Sequence, residues 1–256
     1  VAELTSTRTG QDEIVATTPV LRGQVANLER HTATPGIAVA ALAERLREVL
    51  TYDDAELRQR HLSHAPTELA FDLDQLAGWL HLPLIKNRWQ PAHLPAAVGY
   101  LPAAPISLHG RAPQWLYAAL ALQVVPHSVF LFDARLGWIE PAALACAASP
   151  HIPHISCQVE QADDSTFLDL RLAEAYLDYT EFEGATLPPL PADGGVILSG
   201  KLPNWLLVGA ALAYRRHPWL AIFQPQFSNE EAIVVYSQVK THVLGTTTRL
   251  LHKLLS

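Results

Sequence analysis

The chain has 256 residues, 49% of them hydrophobic and 17% charged, a globular composition with material for one large or two small domains. Its formal net charge of −7 excludes broad, sequence-independent binding to duplex DNA, which needs a basic face, but leaves room for a small anion met by two or three local cations. Cys146 and Cys157 are the only cysteines, which reads as reduced cytoplasmic thiols and not as a disulfide framework.

Residues 1–36 are polar, weakly periodic and read as extended, with no basic region and apolar core of a secretory signal at their start. Val39, Leu42, Leu46 and Val49 recur at helical spacing and predict an amphipathic helix over 37–51. Asp53 or Asp54 then caps a second short helix reaching Leu62. A strand follows at 69–73, then a proline-rich excursion over 76–104 carrying Trp79, Trp89 and Tyr100. The next elements are a strand at 106–108, a helix from Pro113 to Val124 stopped by Pro126, and a strand at 129–132. The uncharged run 112–132 is long enough to span a bilayer. Pro126 interrupts it, however, and a buried helix followed by a buried strand is the reading, with no membrane span. An alanine-rich stretch, 141–153, ends between prolines and marks a boundary. Beyond it come strands at 155–160 and 167–172, a stiff Pro188-Pro189-x-Pro191 approach, a strand at 196–198 and a helix over 203–216. Strands at 219–223 and 232–236 and a basic helix from Thr248 complete the chain.

One stretch occurs twice. Residues 105–116 read Pro-Ile-Ser-Leu-His-Gly-Arg-Ala-Pro-Gln-Trp-Leu, and residues 195–206 read Gly-Val-Ile-Leu-Ser-Gly-Lys-Leu-Pro-Asn-Trp-Leu. Each is an apolar strand, a turn at glycine, and a helix beginning at proline. Gly110 and Gly200 permit the turn, and Pro113 and Pro203 suit a first helical position. Free amides at such a helix start, beside Arg111 or Lys201, form a place for a phosphate; the alternative is an ordinary structural corner. The interval between the copies is the size of a small domain. Two strand–helix–strand modules therefore predict an α/β fold of two tandem Rossmann-like modules forming an intramolecular pseudo-dimer, with an N-terminal helical extension. The expected segments are 1–64, 65–153 and 154–256. Trp115 and Trp205 either stack on a ligand base or anchor helix to sheet. His151 and His154, three apart across Pro153, suggest a loop metal site with Cys146 or Cys157 or none at all.

The run Gly110-Arg111-x-Pro113-x-Trp115-Leu116, followed after a strand by Asp133-x-Arg135-Leu136-Gly137, resembles the small ring nuclease family of type III CRISPR systems. The second copy matches at Gly200, Pro203, Trp205, Leu206 and Pro225, with Lys201 in place of the arginine. The resemblance covers 65–256 loosely and is specific around the two turns. It implies binding of a cyclic oligoadenylate, a small cyclic RNA, with Gly110, Arg111, Gly200 and Lys201 facing its phosphates. It also implies a role in antiviral defense and an association with a CRISPR effector protein. Manganese-dependent hydrolysis in that family would place Asp133 and Arg135 in the reaction, with His127 or His217 meeting near the ligand. Gln224 and Gln226 stand where the second copy needs Asp and Arg. A glutamine carries neither charge nor titrating proton, so at most one module keeps the acid. A non-catalytic adaptor built from the same modules is the alternative.

Overall fold

The computed structural model describes residues 54–86, 88–162, 164–173, 177–225 and 231–249; the helix expected over 37–51, Gln226 and the chain beyond 249 lie outside them. The chain divides into two units, residues 1–64 and 65–256. In the first, α1 (Asp54–Ser63) carries Arg60 and His61 in its last turn. There Ser63 Oγ and His64 Nδ1 both donate to the Arg60 carbonyl, at 2.8 Å each, covering an acceptor that the helix end leaves open.

The second unit begins with β1 (Leu69–Asp72), α2 (Leu73–Trp79), α3 (Leu94–Tyr100), β2 (Ile106–His109), α4 (Gln114–Val124), β3 (Val129–Asp133), β4 (Gly137–Ile139) and β5 (Ala145–Cys146). It continues through β6 (Ile155–Gln161), β7 (Ser165–Leu172), β8 (Thr186–Leu187), β9 (Gly195–Ser199), α5 (Asn204–Ala213), β10 (Trp219–Phe223), β11 (Glu231–Ser237) and β12 (Thr247–Arg249). One sheet has the order β1-β2-β3-β4 and the other β12-β11-β10-β9-β7-β6. In the first, β1, β2 and β3 run parallel and β4 turns back antiparallel. In the second, β7, β9 and β10 run parallel and β11 turns back antiparallel. Both sheets thus contain three parallel strands and an antiparallel fourth in the same order. The fold is α/β, as the alternation of strands and helices predicts.

β2 and β9 are buried along their whole length, as parallel strands covered on both faces are; β9 reads accordingly as an apolar run, whereas β2 alternates as Ile-Ser-Leu-His and buries Ser107 and His109 as well. α4 buries nine of its eleven residues and α5 seven of its ten. The two helices pack on each other, α4 also reaches β10 and β11, and α5 reaches β3. A helix enclosed in this way must be apolar all round. No helix among the described residues is long and apolar enough to cross a membrane, so the uncharged run over 112–132 is a buried helix and strand.

Four expectations are corrected. The excursion over 76–104 contains helical segments: α2 starts at once after β1 because Asp72 accepts from the Asp74 amide at 3.0 Å, an N-cap that hydrophobic periodicity does not reveal. Pro113 and Pro203 precede their helices as caps in extended conformation. Their carbonyls accept the first helical bonds, from Leu116 and Tyr117 and from Leu206 and Leu207. The second helix stops at Ala213, not at 216. Finally, residues 247–249 pair with β11 as a strand instead of opening a helix.

Candidate functional site

The two copies of the turn meet. Gly110 and Gly200 adopt φ of +112° and +148°, conformations that an L side chain rarely takes. The Gln114 side-chain amide, in the first turn of α4, donates to the Leu202 carbonyl in the second turn. Beside this bridge lies a cavity of about 670 Å³ lined by residues 169–173, Ser199, Gly200, Lys201, Phe223, Gln224, Pro225 and Gln114. It sits at the carboxyl ends of β7, β9 and β10, the end at which open parallel sheets receive ligands. Its charged groups are Asp169, Arg171 and Lys201. Arg171 Nε donates to Asp169 Oδ2 at 2.6 Å, with the carboxylate 16% exposed and the guanidinium 60% exposed. Gln224 Oε1 is buried with no hydrogen-bond partner among the described residues. Such an acceptor costs roughly 1–3 kcal/mol until something donates to it. The site therefore offers two cations, a buried acceptor and the backbone of the Gly200–Lys201 turn.

The first turn is filled differently. Asp74 Oδ2 accepts from the Arg111 amide at 3.2 Å, and Tyr117 Oη donates to the Gly110 carbonyl at 2.7 Å. Burial first, then the charges of Asp74 and Asp72, push the Tyr117 phenol well above its ordinary range. At the end of β2, His109 is buried against Phe132 and Trp138, with ring centroids 4.7 and 6.1 Å away.

Only some of the residues expected from sequence come together. Gly200 and Lys201 line the cavity, whereas the amide of Arg111 is engaged by Asp74. Asp133 and Arg135 lie in the tight β3–β4 connection and bind each other: Oδ1 accepts from the Arg135 amide at 2.8 Å and from Nε at 3.3 Å. His127 and His217 do not join them. Both stand just before the amino ends of β3 and β10, and the five-residue length of β3 separates His127 from Asp133, a strand length of roughly 15 Å. His127 is exposed, and His217 is buried with Nδ1 donating to the Gly194 carbonyl at 3.1 Å. Trp115 and Trp205 are 2% and 1% exposed, so an incoming base has no access to them. Trp205 instead meets the edges of Tyr179 and Phe182 at 5.2 and 5.1 Å. His154 pairs with Glu181 at 3.1 Å.

Sequence reading missed Asp169, Arg171, Ser199 and Gln114. A usable signal existed for the first two. In Phe167-Leu-Asp-Leu-Arg-Leu the alternation puts Asp169 and Arg171 on one face of a strand. In register, Asp169 stands opposite Ser199 just as Asp72 stands opposite His109. Each sheet thus carries an aspartate beside the residue that precedes its glycine turn.

Among the described residues no three His, Cys, Asp or Glu side chains converge as a metal site. Of the carboxylates near the turns, Asp72 accepts from the Asp74 amide, Asp74 from the Arg111 amide and Asp169 from Arg171, and Asp133 is held by Arg135. Manganese prefers several hard oxygen ligands, and this donor set does not fit such an ion held by protein side chains.

Residues 170–249 match the protein family described as CRISPR-associated protein (Cas_csx3). The match runs from the end of β7 through β12 and takes in every cavity-lining residue except Asp169 and Gln114. Through this segment the chain is related to a CRISPR-associated family. No curated protein is similar enough to the chain to count as a match.

Proposed function

We propose that the chain is a type III CRISPR accessory protein that binds a cyclic oligoadenylate in the cavity beside the second turn. The observation that carries this reading is the coincidence of that cavity with the CRISPR-associated match. Arg171 and Lys201 supply positive charge for phosphate oxygens, and the Gly200–Lys201 turn adds backbone amides. Gln224 accepts from a base or ribose donor. Gln114 brings the first module to the wall of the second. Hydrolysis has weaker support: the one carboxylate in the cavity, Asp169, is already engaged by Arg171, and Asp133 is engaged by Arg135. The reading is therefore binding without turnover, in a sensor or adaptor that joins a CRISPR effector protein in the cytoplasm.

The test is incubation with radiolabelled cyclic tetra-adenylate, with and without manganese. The expected result is a saturable complex that Lys201→Ala and Arg171→Ala each weaken roughly tenfold, the worth of one charge-assisted contact. Linear product that disappears in Asp133→Ala would replace the sensor by an enzyme. Absence of both complex and product rejects the ligand.

A further inference from the structure

The two turns share a sequence pattern but not a partner, and the difference lies in how the chain leaves the first parallel strand of each module. β1 ends at Asp72 and passes directly into α2, so Asp74 arrives beside the turn. A Cβ on Gly110 would lie 3.0 Å from Asp74 Oδ2 and 3.1 Å from Asp72 Oδ1. The carboxylate of Asp74 accepts the Arg111 amide, where a bound phosphate oxygen would accept it in a turn of this type. β7, by contrast, runs three residues past Asp169 to Leu172. The backbone of Leu170 then flanks Gly200, and Asp169 turns to Arg171.

We infer that the first turn is an anion site closed by an internal carboxylate: Asp74 occupies the place of a phosphate, leaving the second turn to bind external anions alone. This rests on the second turn being an anion site, as proposed above. The occupied turn has a consequence for a pseudo-symmetric ligand such as a cyclic oligonucleotide. It meets one receptive turn and one that already carries negative charge, and so binds in a single orientation. Tethering favours the internal carboxylate, because Asp74 is held by the Asp72 cap and competes with solution anions at a high effective concentration.

The experiment titrates inorganic phosphate into the full chain and follows the backbone amides of Arg111 and Lys201 by 15N NMR. In the unmodified chain the Lys201 amide is expected to shift saturably and the Arg111 amide to stay in place. In Asp74→Ala the Arg111 amide joins it, with an apparent affinity for phosphate raised roughly tenfold, the worth of displacing one charged acceptor. Asp74→Asn keeps an acceptor for the amide while removing the charge, and should give a smaller gain in the same direction. It serves as the test if the alanine variant does not fold. An Arg111 amide that responds to phosphate in the unmodified chain as strongly as Lys201, or that stays silent in both variants, overturns the inference. A silent Lys201 amide together with a responsive Arg111 amide in the variants would instead reject the second turn while upholding the closed first one.

Discussion

At Gly200 the backbone takes a φ of +148°, and a Cβ there would overlap the Leu170 carbonyl oxygen. Both conditions penalise any side chain. Gly200→Ala should therefore lower the unfolding free energy by about 2 kcal/mol or more in urea titrations. Gly99, in α3 and facing open space, is the control: Gly99→Ala should raise stability by about 0.5–1 kcal/mol. Equal effects at the two positions would deny Gly200 its role. Trp205 gives a second test at this scale. Its indole is enclosed, with Nε1 unpartnered among the described residues, so replacement acts on the core and not on ligand contact. Trp205→Phe loses volume and no hydrogen bond, and should cost under about 2 kcal/mol. It should leave nucleotide affinity unchanged in a filter-binding assay.

Between residues and whole fold, the short helices depend on polar caps that are sensitive to protonation. His93 closes the turn of 3-10 helix that leads into α3, and its Nδ1 accepts from the Gln90 amide at 3.2 Å. Burial pulls this imidazole below its ordinary value of 6.5. The folded state thus holds a neutral ring, while the unfolded chain takes up a proton as pH falls through about 6.5. The contribution is present above that pH and is lost below it, because a protonated Nδ1 cannot accept the bond. Urea midpoints at about pH 7.5 and about pH 5.5 should fall further for the unmodified chain than for His93→Gln. An identical drop in both would show that His93 is not the group responsible. The caps also explain why residues 73–79 were hard to read from sequence. Asp72 closes a strand and opens a helix in one residue, so neither periodicity has room to declare itself.

Across the molecule, α4 and α5 lie back to back and each reaches the opposite sheet. Small residues make this possible: Ala118, Ala121, Ala210 and Ala211 are fully buried. Enlarging one of them overfills the layer. Ala121→Leu or Ala210→Leu should cost about 1–3 kcal/mol in chemical denaturation, against almost nothing for the exposed Gln123→Leu on the same helix. The bridge from Gln114 to Leu202 belongs to this scale too, because it ties the two turns across the shared layer. Gln114→Ala should weaken nucleotide binding several-fold with little loss of stability, as isothermal titration alongside thermal melting would show. Loss of stability without loss of affinity would make the bridge purely structural.

The sequence by itself determined the parallel-strand core, the two glycine turns and the helices that follow them. Those features rest on local rules: apolar runs for strands covered on both faces, positive φ at glycine, and proline just ahead of a helix. It also pointed to Gly200 and Lys201, which line the cavity. Other pairings were out of its reach. That Asp74 fills the first turn, that Asp169 joins Arg171, and that His127 stands a strand's length from Asp133 are facts of strand order and register. Residues far apart in sequence met there, and no spacing encodes which end of a strand opens into the cavity. Tertiary structure also divided the copies. The same glycine turn is closed by a carboxylate where the chain bends into α2 and open where β7 runs on, because a motif's chemistry depends on the neighbour that the fold brings to it.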